Sequence, residues 1–146
     1  VTPVAKVNRI ADNLVLLLKG IDARLSPLDW VTKPRTVERG LKGIAVTNRP
    51  GLLVQVGPWE DSLFSGGRHR VNGRIWVHCF EDTEAGLNNL VRDVLKAVTQ
   101  AEDDKLGGEV IVSYLNATYT PDASEGTLAA ATLDIGMLWE WEHTAP

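Results

Sequence analysis

Apolar residues return at three- and four-residue spacing near the start of the chain: Val4, Val7, Ile10, Ala11, Leu14, Leu17, Leu18 and Ile21, with Lys6, Arg9, Asp12, Asn13 and Lys19 between them. That period puts the apolar set on one stripe of an amphipathic helix. Thr2 is suited to cap such a helix, Pro3 to its first turn and Gly20 to its end, so the spacing predicts a helix over residues 3–19. Leu87, Leu90, Val91, Val94, Leu95 and Val98 form a second stripe behind Asp82 and Thr83, and predict a helix over residues 84–99.

Between and after these stripes the period changes to two. Residues 28–32, held between Pro27 and Pro34, read as a short strand, and 51–57 (GLLVQVG) as another that Pro58 ends. Residues 59–67 then form a turn or loop. From Arg68 alternation is strict: Ile75, Val77 and Cys79 face one side and Trp76, His78 and Phe80 the other, which marks a central strand with two largely apolar faces. Gly73 inside it marks a bulge or a close backbone approach. After a charged turn at 101–108, residues 110–115 are strand-forming, and 120–126 (TPDASEG) are a loop. The last strand, 129–142, has Ala129, Ala131, Leu133, Ile135, Met137, Trp139 and Trp141 on one face and Thr132, Asp134, Glu140 and Glu142 on the other, the pattern of a long antiparallel edge. The expected fold is a single α+β domain, residues 1–146, in the order α-β-β-β-α-β-β, with a mixed or antiparallel sheet and two helices packed on one face.

Composition bounds this picture without changing it. A chain of 146 residues with 44% hydrophobic and 23% charged residues has enough apolar sequence for one ordinary core. The longest apolar run is 14–18, far short of a membrane span. The opening Val-Thr-Pro-Val lacks the features of a secretory signal, and Val1 fits removal of an initiator Met. The lone Cys79 forms no intrachain disulfide, which points to a reducing cytosol.

Charge changes the picture more. Residues 1–74 hold 12 basic against 6 acidic side chains, and residues 75–146 hold 3 against 13. Two complementary faces on one subunit would let copies dock head to tail. The segment 33–49, with Lys33, Arg35, Arg39, Lys42 and Arg49 against Glu38 alone, reads as a long basic loop and the first candidate for partner contact. Arg35, Arg39 and Lys42 are expected to meet Glu140, Glu142 or the turn Glu102-Asp103-Asp104 of another copy.

Familiar chemistry is not legible in these residues. There is no phosphate-cradling glycine motif and no metal-ligand spacing among His69, His78, His143 and Cys79, so no metal and no cofactor are expected. His78 and Cys79 are adjacent in a strand and diverge, which favours a buried structural thiol over a dyad. Glu140 and Glu142 share a strand face but read as a solvated pair, not as an acid and its base. Asn116-Ala117-Thr118 matches a glycosylation sequon that matters only for a secreted chain. Arg68, Arg70 and Arg74 add to the basic loop without the aromatic interleaving of a single-strand binder, in a protein of pI about 5.3.

The layout as a whole resembles the tail terminator proteins of long-tailed bacteriophages. The likeness rests on the first helix R-I-A-D-N-L-V-L-L-L-K, the strand G-L-L-V-Q-V-G-P, the long strand R-H-R-V-N-G-R-I-W-V-H-C-F, the helix opening D-T-E-A-G-L and the final W-E-W-E. The resemblance implies a non-enzymatic virion protein, present in the host cytoplasm during assembly. In that role copies of the chain form a ring, commonly of six, on the last ring of tail tube protein, stop its polymerisation and face the head connector protein. DNA would pass through the ring without specific binding, and no membrane is involved. Loops at 33–49, 59–67 and 117–126 would carry the contacts, with Trp59 the most conspicuous aromatic among them. Two other readings fit the same residues: a head completion or connector ring protein, and a small cytosolic module that binds nucleic acid through the basic loop.

Overall fold

The structure, a computed structural model, describes residues 3–24, 30–40, 48–100, 106, 110–119 and 129–142. The two helices, α1 (Pro3–Lys19) and α2 (Glu84–Thr99), stand where their apolar spacing predicts. Thr83 caps α2 by accepting the Gly86 amide at 3.0 Å, with Glu84 in the first turn. Five strands follow the expected order: β1 (Thr36–Arg39), β2 (Gly51–Ser65), β3 (Arg68–Glu81), β4 (Ile111–Tyr119) and β5 (Ala129–Glu142). They form one sheet ordered β1-β2-β3-β5-β4, with β1 parallel to β2 and every other pair antiparallel. The fold is α+β, with a mixed sheet.

Alternation decides which face is dry. Leu52 and Val54 of β2, Val71, Ile75, Val77 and Cys79 of β3, and Ala131, Leu133, Ile135 and Met137 of β5 are buried together with Ile10, Leu14 and Leu18 of α1 and Leu87, Leu90 and Val94 of α2. The helices touch each other, α1 over β1 and β2 and α2 over β3 and β5, so both cover the same face. Among the described residues no helix is long and apolar enough to cross a membrane.

Several local expectations are corrected. Residues 30–32 are not a strand, because their backbone is taken up by a side chain: Asp93 of α2, fully buried, accepts Thr32 N at 2.7 Å, Thr32 Oγ1 at 2.6 Å and Val31 N at 3.0 Å. A carboxylate that collects these donors docks the segment on α2, and residues 28 and 29 lie outside the described residues. The basic segment 33–49 is not all loop, since β1 lies inside it, pairing in parallel with residues 51–54; residues 41–47 are outside the described set.

Pro58 does not end β2. Beyond residue 54 no described strand pairs with the outer side of β2, so an imino acid is tolerated there, and the ladder to β3 slips between Val56 and Trp59 to absorb it. The expected loop at 59–67 is therefore strand to residue 65, closed by Gly66 and Gly67 at φ of 57° and 77°. Two successive positive φ values match the tight hairpin turn that suits strand twist. The strand expected at 110–115 runs on to Tyr119, and β5 is not an edge but lies between β3 and β4. Most of the turn at 101–108 and the whole loop at 120–126 lie outside the described residues.

Candidate assembly surface

The three central strands outrun their neighbours at one end. β1 reaches only residues 51–54 of β2, and the register of β4 starts at Ile111 opposite Leu138, so residues 61–65, 68–71 and 139–142 form a three-stranded tongue. On its helix side Asp61 ties the strands together. Its Oδ1 accepts His69 Nδ1–H at 3.1 Å and Trp141 Nε1–H at 3.3 Å, and the His69 and Trp141 rings stack at 4.1 Å. Further along, Gly73 shows the close approach its sequence position predicts: a Cβ there would stand 3.2 Å from the Trp59 Cβ and 3.5 Å from the Trp139 ring. Trp59 thus packs at the margin of the core, beside Val7, Ile10 and Met137, yet stays 39% exposed, and Leu63 beyond it is 64% exposed.

On the opposite side of the tongue the charges pair. Arg68 and Arg70 each donate to Glu140, at 3.0 and 3.2 Å, and four residues further along β3 from Arg70, Arg74 donates to Asp134 at 2.7 Å. The Arg74 guanidinium also lies 4.4 Å over the Tyr114 ring. Tyr114 comes close because Gly136 opposite it has no Cβ; one would stand 2.6 Å from the Tyr114 Cβ. A shallow groove of about 320 Å³ opens here, lined by Arg70, Ile111, Leu138, Trp139 and Glu140.

The same face carries a second polar cluster. His78 sits between Thr132 Oγ1 and Gln55 Oε1, each 2.8 Å away. A neutral ring with its proton on Nε2 satisfies both, donating to Gln55 and accepting from Thr132. Burial pushes the His78 pKa down, which favours that neutral form. Cys79 points the other way into the core, and burial pushes its thiol up to about 12. The thiol is a packing group at neutral pH.

The residues singled out from the sequence do not form one cluster. Lys33 lies 3.7 Å from Asp22, whose carboxyl is held at about 2 by the Arg24 guanidinium and amide. Arg35 is exposed, while Arg39 pairs within the subunit with Asp12 at 2.8 Å and with Asn8 of α1. Glu140 is engaged by Arg68 and Arg70, and the Glu142 backbone pairs with Arg68. Lys42, Glu102, Asp103 and Asp104 are outside the described residues. The uneven charge of the two halves is therefore partly neutralised inside the fold, by Arg49 with Asp82 as well as across β3 and β5. Among the described residues no group of three or more His, Cys, Asp and Glu is placed to hold a metal ion.

Sequence reasoning did not single out Leu63, Ile111, Tyr114 and Tyr119, the exposed apolar residues of β2 and β4: Leu63 and Tyr119 fell inside segments expected to be contact-bearing loops, and Ile111 and Tyr114 in a strand, where apolar residues read as core until the order of the strands is known. No protein-family model matches this chain, and no curated protein matches it in sequence.

Proposed function

We propose that this chain is a ring-forming structural protein of the tail-terminator type. In this reading copies close into a ring, six by the family's habit, at the head-proximal end of a phage tail tube. There the ring stops tube polymerisation and joins the tail to the head connector. The observation that carries the reading is the tongue: a hydrogen-bonded, stacked extension of the sheet that reaches past β1 and β4, with Leu63 exposed on it and Trp59 exposed at its base. Trp59 and Leu63 lie four residues apart on one side of a hydrogen-bonded strand, and an exposed Trp beside a second apolar side chain is the kind of anchor that another protein covers. The role requires no bond making or breaking, only a stiff subunit with surfaces for its copies and for the tube.

Phosphate binding by the arginines of β3 has less support, since Arg68, Arg70 and Arg74 all donate to carboxylates of β5. The test is particle mass by light scattering over a range of concentration and salt, imaging of any large species, and addition of the protein to growing tail tubes. A closed ring with a central hole that caps tubes at a fixed length is expected. Tubes that grow unaltered with the protein present in excess would overturn the proposal.

A further inference from the structure

Seven large apolar side chains are exposed among the described residues, and five of them belong to two strands: Trp59 and Leu63 of β2, and Ile111, Tyr114 and Tyr119 of β4. Beyond the reach of β1, those two strands bound the described sheet on opposite sides. β4 is the terminal strand, and over residues 59–65 no described strand pairs with the outer side of β2. The sequence of β4, IVSYLNATY, contains no charged residue, no proline and no glycine over nine residues. Sheet edges that stay unpaired are ordinarily blunted by lysine, proline or an inward charge. β4 has a register shift between Val112 and Tyr114 but none of those residues, and from Leu115 to Tyr119 it runs regularly. The helix layer gives it little cover, since α2 packs over β3 and β5.

We infer that the two edges are each other's partners in neighbouring copies: β4 of one subunit adds as a strand to the outer edge of residues 59–65 in the next. Charge separates this arrangement from the self-pairings. Two copies of the 59–65 edge side by side would bring Glu60 and Asp61 against their own copies, whereas β4 brings no charge to either. Two β4 edges could pair about a two-fold axis, but that contact would leave Trp59 and Leu63 uncovered in both copies. Only the heterologous contact covers the apolar residues of both edges in every copy, with Tyr119 on the helix side that carries Trp59 and Leu63, and Ile111 and Tyr114 on the open side. Seven residues of extended chain span about 24 Å, which nine-residue β4, at about 30 Å, is long enough to cover. A heterologous contact repeats around the assembly and closes when its rotation allows, so the inference deepens the ring reading and rests on it for closure.

The test uses two single substitutions at exposed side chains, Leu63→Lys and Tyr119→Lys, with circular dichroism and thermal melting to confirm that each folds like the parent. Each is expected to weaken self-association at least about tenfold, because each puts a desolvated charge in the shared contact. The two variants are then mixed. The intact β4 of the Leu63→Lys copy pairs with the intact tongue of the Tyr119→Lys copy, and the edges left over are both blocked. Mixing is therefore expected to give particles of two subunits, one of each kind, seen by native mass spectrometry. Rings that persist in both single variants would overturn edge pairing while leaving the ring reading in place. Dimers that survive Leu63→Lys but not Tyr119→Lys would overturn it in favour of two-fold β4 pairing. A parent that stays monomeric at every concentration would overturn it as well, and capping of tubes would then judge the ring reading alone.

Discussion

Strand β3 passes through two environments, and the difference between them shows where this molecule keeps its stability and where it offers a surface. In its second half Ile75, Val77 and Cys79 lie beneath the two helices, flanked by Leu52 and Val54 on one side and Leu133 and Ile135 on the other, all buried. In its first half the same alternation continues, but the cover thins. There His69 stacks on Trp141, and Leu63 opposite it is mostly exposed. Hydrogen bonds and stacking hold the tongue in shape, while burial holds the centre together. Burial of an aliphatic side chain contributes roughly 1.5–3 kcal/mol and an exposed ion pair roughly 0–1, so damage to the two halves should differ in kind.

The largest effect is expected at the centre. Leu133→Ala removes a fully buried side chain from between the helices and the sheet, and should cost about 2–5 kcal/mol in denaturant unfolding. Leu63→Ala, made at an exposed site of the tongue, should leave unfolding within about 0.5 kcal/mol of the parent. Equal losses at the two positions would erase the distinction between a core and an assembly surface.

Next in size is Asp93, which links the segment 30–32 to α2. Asp93→Ala strands the donors of Val31 and Thr32 in a part-buried site, and is expected to cost about 3 kcal/mol. Asp93→Asn keeps an acceptor oxygen and should cost less. The expected signature is local: faster amide exchange at residues 31 and 32, with the tongue unchanged. Exchange that quickens equally across β3 would show that the docked segment and the sheet unfold as one.

Asp93 also shows what was legible in the sequence and what was not. Both helices and the alternation of β3 could be read residue by residue, because the period that defines them is local and each is long enough to repeat it. The strand expected at 28–32 failed over residues 30–32 because a carboxylate more than sixty residues away takes the donors that a sheet partner would have used. β1 was missed because a four-residue TVER strand has no pattern of its own and exists through its parallel partner. Pro58 was read as a stop because its tolerance depends on how far β1 extends, which is a fact about neighbours. The candidate surface shares this cause: whether Leu63 or Tyr119 is core or edge follows from the strand order, and local pattern is silent on it.

A smaller effect is expected from acid, on the open face. Burial lowers the His78 pKa in the folded state below its ordinary 6.5, so the unfolded chain takes up the proton first as pH falls. Stability from this group is therefore complete above pH 6.5 and is lost as pH drops below it, until the folded ring is protonated too. Protonation also removes the acceptor that Thr132 Oγ1 uses. Melting temperature should fall between pH 7 and pH 5.5, and His78→Gln, which does not titrate, should flatten that part of the slope. A slope unchanged in the variant would place the acid sensitivity elsewhere.

The smallest effect is expected where the contacts are most conspicuous to the eye. Glu140 receives two arginines, but its side chain and theirs are between 41% and 54% exposed. At that exposure water and salt screen the attraction, and ordering two long side chains offsets most of what is left. Glu140→Gln should therefore shift unfolding by no more than about 1 kcal/mol at low salt and less at high salt. If the tongue is a surface kept for another copy, the substitution should matter more to assembly than to folding. It removes a carboxylate from the groove lined by Arg70, Ile111 and Leu138, next to the β4 edge. A loss above about 2 kcal/mol in the isolated subunit would contradict this, and would make the tongue part of what folds the protein instead of what the fold presents.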